Sequence, residues 1–148
     1  MKELLIVPRS PEKASFKYEG HGYYENFYPA ISENFKTTVL TSEYKKPKTK
    51  GNLTYQPWHF KGKIDGAINL YKAIREVKPD AIMTEDASFR TITGFAIAKT
   101  KRIPTIMKVE AIPRSKIKTI LSTLLSTNIS SVSHAVDKHL PRKSTIVR

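Results

Sequence analysis

Apolar and polar positions alternate along this chain in two periods. Short, near-continuous apolar runs rich in β-branched residues occur at Leu4–Pro8, Thr37–Thr41, Leu53–Pro57, Ala81–Thr84, Thr105–Val109, Ile129–Val132 and Thr145–Val147. Such runs suit strands covered on both faces. Between them the period lengthens to that of a helix. Tyr24, Phe27, Tyr28 and Ile31 follow helical spacing, with Pro29 predicting a kink or a late start. Ile64, Ala67, Ile68, Tyr71, Ile74 and Val77 form an apolar stripe, opened by Asp65 and closed by Lys78–Pro79. Ile92, Phe95 and Ala96 mark a third helix. Ile117, Ile120, Leu121, Leu124 and Leu125 mark a fourth, and His134 to Leu140 a short fifth, stopped by Pro141. Strands alternating with helices predict an α/β fold: a doubly wound, mainly parallel Rossmann-like sheet of six to seven strands with helices on both faces. The stretch from Thr41 to Leu53 is the exception, a lysine-rich connection with no helical period. The expected organisation is a single domain over residues 1–148.

Ligands in open α/β sheets bind beyond the carboxyl ends of the strands, which selects four loops. The loop after the first strand runs from Arg9 to Gly22, long for a compact domain, and ends in Glu19–Gly20–His21–Gly22 before a helix. Long loops of this kind carry function more often than not. Its two glycines let backbone approach a ligand, and a helix N-terminus favours phosphate; plain turn glycines are the alternative. Arg9 stands at the loop's start. After the fourth apolar run come Glu85 and Asp86, adjacent carboxylates suited to a base, a metal ligand or a sugar-hydroxyl acceptor. Capping of the next helix by Asp86 or Ser88 is the competing role. After the fifth come Lys108 and Glu110, the latter costly to bury unpaired. After the sixth come Ser133 and His134.

Composition narrows the chemistry. There is no cysteine, so disulfides, thiolate zinc sites and cysteine nucleophiles are excluded. The histidines at 21, 59, 134 and 139 are scattered, no metal-ligand spacing exists, and neither metal nor cofactor is expected. The opening apolar run suits a buried strand better than a signal segment, and no window approaches a membrane span. A soluble or peripheral protein is expected. Net charge is +13, from 26 Lys and Arg against 13 Asp and Glu, which favours an anionic partner. Lys36–Lys63 holds seven lysines against Glu43 alone, and Lys99–Lys118 holds seven cations against Glu110 alone. Arg114, Lys116 and Lys118 lead into the fourth helix, whose leucines are expected to pack on the sheet while the cations face an anionic membrane surface. Aromatics are too sparsely interleaved with these cations for an RNA-binding signature, and no nucleic-acid partner is expected.

The strand ends and strand entries resemble the N-terminal domain of GT-B glycosyltransferases of the retaining family 4. The features are Leu4–Ile6–Val7 before a long glycine-ended loop, Lys78–Pro79–Asp80–Ala81–Ile82 into the fourth strand and Ile103–Pro104–Thr105–Ile106 into the fifth. Ile129–Ser130–Ser131–Val132–Ser133 followed by Ala135–Val136, and the closing Thr145–Ile146–Val147–Arg148, complete them. The resemblance implies one GT-B half. Acceptors in that family, often lipid or glycan at the cytoplasmic membrane face, sit mainly on this domain. The nucleotide-sugar donor sits mainly on a second domain, with chemistry in the cleft between and no obligatory metal. Glu110 and Glu85 become the catalytic candidates. Gly20, His21, Gly22, Arg9, Asp86, Lys108 and Ser133 become the substrate-binding ones. The sequence departs from the family pattern at Gly20–His21–Gly22, where the paired glycines are split, and at Glu110, where many members carry a histidine. Because the sequence ends at Arg148, the family's donor-binding domain is expected to be absent from it. The expectation is therefore an acceptor half at the inner face of the membrane, dependent on a second domain or a separate donor-binding subunit. The alternative is a non-catalytic module for an anionic ligand or nucleic acid.

Overall fold

A computed structural model describes residues 1–18, 23–109, 115–131, 136, 138–141 and 144–146. The chain divides into two compact units, Met1–Asp80 and Ala81–Arg148.

The first unit contains β1 (Glu3–Val7), short 3-10 turns at Pro11–Lys13 and Phe16–Tyr18, α1 (Tyr23–Ser32), β2 (Lys36–Thr41), β3 (Lys48–Lys50), β4 (Leu53–Pro57) and α2 (Lys63–Val77). Its strand order is β3-β4-β2-β1. β1 and β2 pair in parallel with Leu5 opposite Thr38, and β2 and β4 in parallel with Val39 opposite Tyr55. Leu4 through Val7 are all buried, as the continuous apolar run requires. β2 instead buries Thr37, Thr38 and Thr41, and each hydroxyl finds an acceptor: the Phe35 carbonyl at 3.2 Å, Glu3 Oε1 at 2.9 Å and the Pro11 carbonyl at 3.1 Å. Threonine thus keeps the β-branched shape that the strand favours without leaving a buried hydroxyl unmet.

The lysine-rich connection is not featureless. Its last residues form β3, antiparallel to β4, in a hairpin turned at Gly51 with φ 58°. All three residues of β3 are exposed, and lysines at both its ends blunt an open sheet edge. Helix α1 runs through Pro29 rather than starting after it. In α2 the expected stripe is only half right. Leu70, Ala73 and Ile74 are buried with Gly66, whereas Ile64, Ile68 and Tyr71 are exposed. The packed side is set by Gly66, where an added Cβ would come within 3.3 Å of the Phe60 ring, and by Trp58, 1% exposed, whose indole nitrogen donates to the Gly66 carbonyl.

The second unit contains β5 (Ala81–Thr84), α3 (Phe89–Thr100), β6 (Thr105–Val109), α4 (Lys116–Leu125), β7 (Asn128–Ser131) and β8 (Thr145–Ile146). Its strands run in the order β5-β6-β7-β8, all parallel, with Met83 opposite Ile106, Met107 opposite Ile129 and Ser131 opposite Ile146. Phe95, Met107, Val109, Ile129 and Val136 form its core. All seven apolar runs are strands, and the doubly wound, mainly parallel α/β class holds. Of the fifth helical run, from His134 to Leu140, residues 134, 135 and 137 lie outside the described residues; Val136 is helical and its carbonyl accepts from the His139 N–H at 3.0 Å.

The Lys-Pro-Asp entry has a physical role at the start of β1. Asp80 Oδ2 accepts from the Glu3 backbone N–H at 2.7 Å, and the Asp80 N–H donates to the Glu3 carbonyl at 2.8 Å. Replacing Asp80 with Ala removes a charge-assisted hydrogen bond and is expected to cost about 1 kcal/mol. Urea denaturation should show a lower midpoint with an unchanged slope, and an unshifted midpoint would contradict the clamp.

Candidate functional site

In the first unit, the chain leaves β1 through buried Pro8 and exposed Arg9. The Pro11 carbonyl then accepts from the Ser42 N–H at 3.0 Å and the Thr41 hydroxyl, tying the long loop to the carboxyl end of β2. The Phe16 N–H donates to the Tyr44 hydroxyl at 3.0 Å, and the Phe16 ring meets Tyr55 edge-on at 4.7 Å. The first part of the loop is therefore held by backbone and aromatic contacts rather than left to wander. Gly20, His21 and Gly22 lie outside the described residues.

In the second unit, Glu85 follows directly on β5 and is 1% exposed. The last register pair of β5 and β6 is Thr84 with Met107, so the next residues along the two strands are Glu85 and Lys108. Lys108 is also buried, at 5% exposure. A carboxylate and an ammonium thus occupy neighbouring strand positions, both out of water, where each carries a desolvation cost. Asp86 is half-buried, and its backbone carbonyl and Oδ1 are reached by the Thr91 hydroxyl at 2.5 and 3.0 Å. The cap of α3 is Ser88, whose hydroxyl accepts from the Thr91 N–H at 3.3 Å. Asp86 consequently braces the first turn of α3 without being its cap. Glu85, Asp86 and Lys108 are brought together at one end of the unit. Glu110, Ser133 and Arg114 lie outside the described residues.

Helix α4 departs from expectation. Ser115 caps it, accepting from the Lys118 N–H at 3.4 Å, and Lys116 and Lys118 are exposed as anticipated. Of the expected apolar face only Leu125 packs inward, half-buried against the core of Phe95, Met107, Val109, Ile129 and Val136. Ile117 is 72% and Leu124 71% exposed, with Ile120 and Leu121 also outward, while Thr119, Ser122 and Thr123 are buried. The small inner side chains lie where α4 packs against α3 and β6. The Ser122 and Thr123 hydroxyls have no hydrogen-bond partner among the described residues, at a cost of about 1–3 kcal/mol each.

At the amino-terminal ends of β6 and β7, away from Glu85, lies a cavity of about 350 Å³ lined in part by Lys99, Arg102, Pro104, Leu124 and Thr127. Its floor is rigid. Thr105 and Thr127 exchange backbone-to-hydroxyl bonds at 3.1 and 2.9 Å. Arg102 has φ 56°, a conformation that favours glycine. Sequence reasoning missed this cavity because it joins the ends of two helices to the starts of two strands. The available signal was Lys-Arg-Ile-Pro at a strand's entry.

No family model matches the sequence, and neither does any curated protein. Solved structures do resemble the fold. The UDP-GlcNAc 2-epimerase from Methanocaldococcus jannaschii aligns with TM-score 0.60 and 16% identity over 94% of this chain and 41% of its own. The UDP-GlcNAc 2-epimerase from Neisseria meningitidis, solved bound to UDP-GlcNAc, gives TM-score 0.61 and 11% identity over 94% and 42%. MurG from Acinetobacter baumannii gives 0.59 and 9% over 99% and 44%. These are GT-B fold enzymes, and the chain is a GT-B-like, Rossmann-like domain that spans under half the length of each.

Neutralising Glu85 as Gln, or replacing Lys108 with Met, is expected to cost about 3 kcal/mol in each case. The double variant should cost clearly less than the sum, because each single change strands the other charge. Chemical denaturation of the four proteins measures this, and strict additivity would show that the two side chains are not coupled.

Proposed function

We propose that this chain is the acceptor-binding half of a GT-B glycosyltransferase that uses a nucleotide-sugar donor and a lipid or glycan acceptor. The observation that carries this reading is the buried Glu85–Lys108 layer with Asp86 beside it, following directly on β5 and within β6. Ligands of open α/β sheets gather at that end of the strands. The GT-B-like neighbours support it, since their names join UDP-GlcNAc to this fold. The short span relative to them supports a division of labour in which a second domain or subunit grips the donor. In this reading Asp86 accepts a hydrogen bond from an acceptor hydroxyl, with the buried Glu85 and Lys108 beside it. Arg9, Gly20, His21, Gly22 and Ser133 are the further substrate-binding candidates of this reading. Glu85 and Glu110 are the candidates for catalytic base. The expected location is the cytoplasm, at the inner membrane face.

A second reading, a non-catalytic module for an anionic ligand, is favoured by the net charge of +13. Salt-sensitive, sequence-independent retention of duplex DNA would support it.

The test is an amide-shift titration of the 148-residue chain with UDP-GlcNAc and, separately, with geranyl phosphate as an acceptor mimic. The acceptor mimic should shift resonances around Glu85, Asp86 and Lys108, and the shifts should weaken by about tenfold in apparent affinity in Asp86→Ala, the loss of one charge-assisted hydrogen bond. The chain alone should transfer no sugar. Shifts confined to other regions, or none with either compound, would remove the acceptor-half reading.

A further inference from the structure

We infer that the outward face of α4 is a docking surface for an anionic lipid bilayer, with its apolar side chains entering the interface and a headgroup phosphate received by the neighbouring cavity. This is independent of which ligand the strand tips take.

The first support is that α4 sits with its apolar side outward. At about 100° per residue, Ile117, Ile120, Leu121 and Leu124 fill one arc roughly 100° wide. Thr119, Ser122 and Thr123 occupy the opposite side and are buried. An amphipathic helix ordinarily turns its apolar arc to the core. Here the polar side is sequestered, two hydroxyls find no partner among the described residues, and four large aliphatic side chains face outward on one helix. Single exposed apolar residues are unremarkable, but a contiguous helical row of them marks an interaction surface.

Charge selects the occupant. Lys116 and Lys118 fall on the two flanks of the apolar arc, and both are exposed. The described residues from 99 to 131 include no Asp or Glu, while Lys99, Lys101 and Arg102 add exposed cations. Protein–protein interface cores are depleted of lysine. An apolar arc bordered on both sides by lysine is instead the pattern of a helix lying in a bilayer interface: the aliphatics enter the acyl boundary and the cations meet anionic headgroups. The exposed arc of α2 lacks this match, because Asp65 and Glu76 share its helix with the cations.

The cavity extends the same surface. Leu124 belongs both to the outward arc and to the cavity wall, so the two are continuous. Lys99 and Arg102 supply its cations and Leu125 and Pro104 apolar wall. A space of about 350 Å³ with two cations and an aliphatic side fits a phosphate headgroup with the start of its acyl chain.

Flotation tests the inference with phosphatidylcholine–phosphatidylglycerol vesicles against pure phosphatidylcholine. The wild-type chain should float with the anionic vesicles and remain below with the neutral ones. Ile117→Ser/Leu124→Ser changes only outward side chains and should keep its thermal melt, yet lose at least about tenfold in bound fraction, as should Lys116→Glu/Lys118→Glu. Ile64→Ser on α2 should float like wild type. Lys99→Ala/Arg102→Ala should weaken binding to anionic vesicles specifically. Absence of wild-type flotation, or equal flotation by Ile117→Ser/Leu124→Ser, would overturn the proposal. So would a lipid-free dimer in sedimentation that the same double variant dissociates, since the face would then belong to a second copy. None of these readouts depends on ligand binding at Glu85, so the glycosyltransferase reading stands or falls separately.

Discussion

Parallel strands need cover on both faces, and that requirement organises this chain. β1, β2 and β4 pair in parallel in one unit, and β5 through β8 in the other, so neither group can be built from two-residue hairpins. Each parallel step needs a long crossover, and the crossovers supply the covering helices and bring every strand's carboxyl end to one edge of its unit. The loops that carry Glu85 and Asp86 are consequences of that geometry. β3 departs from it as a short antiparallel strand with exposed lysines at both ends, where an open edge gains from charge and loses nothing by being brief.

Most buried hydroxyls of both units are hydrogen-bonded, and a few in each, Ser15 in the first among them, have no hydrogen-bond partner among the described residues. In the first, Thr37, Thr38 and Thr41 each find an acceptor, so polarity there serves to lock strands and loop together. In the second, the Thr84, Ser122 and Thr123 hydroxyls lack such partners among the described residues, and a carboxylate and an ammonium are buried in one layer. In the second unit these costs fall at the end of β5 and beneath α4. Destabilising arrangements of this kind concentrate where a protein binds something. The Glu85–Lys108 layer and the outward α4 face are two such places, and they are the ones on which the two proposals rest.

Much of the fold was legible. The seven apolar runs are strands because β-branched, near-continuous apolar sequence has few other stable uses in a chain of this size. The entries at Lys78–Pro79–Asp80 and Ile103–Pro104 mark real strand starts, since proline ends the preceding element and Asp80 clamps Glu3. β3 was not legible: Lys48–Thr49–Lys50 has no apolar side, and its strand state comes from pairing with β4. Of the candidate site, the position of Glu85, Asp86 and Lys108 at or near strand ends was legible because it needs only the strand positions. That Glu85 and Lys108 follow the same register pair required the β5–β6 register, which no local pattern encodes.

The two helices mark the boundary most clearly. Periodicity determined that residues 63–77 and 116–125 are helices and which side chains share an arc, because both follow from local backbone geometry. It could not determine which arc faces inward. In α2 two apolar arcs compete, and Gly66 beside Phe60 decides between them. In α4 the small polar arc turns inward against α3 and β6, leaving Ile117 and Leu124 outside. Composition and period are properties of a segment, whereas inward and outward depend on the shape and spacing of the elements it meets, and those exist only once the chain has folded.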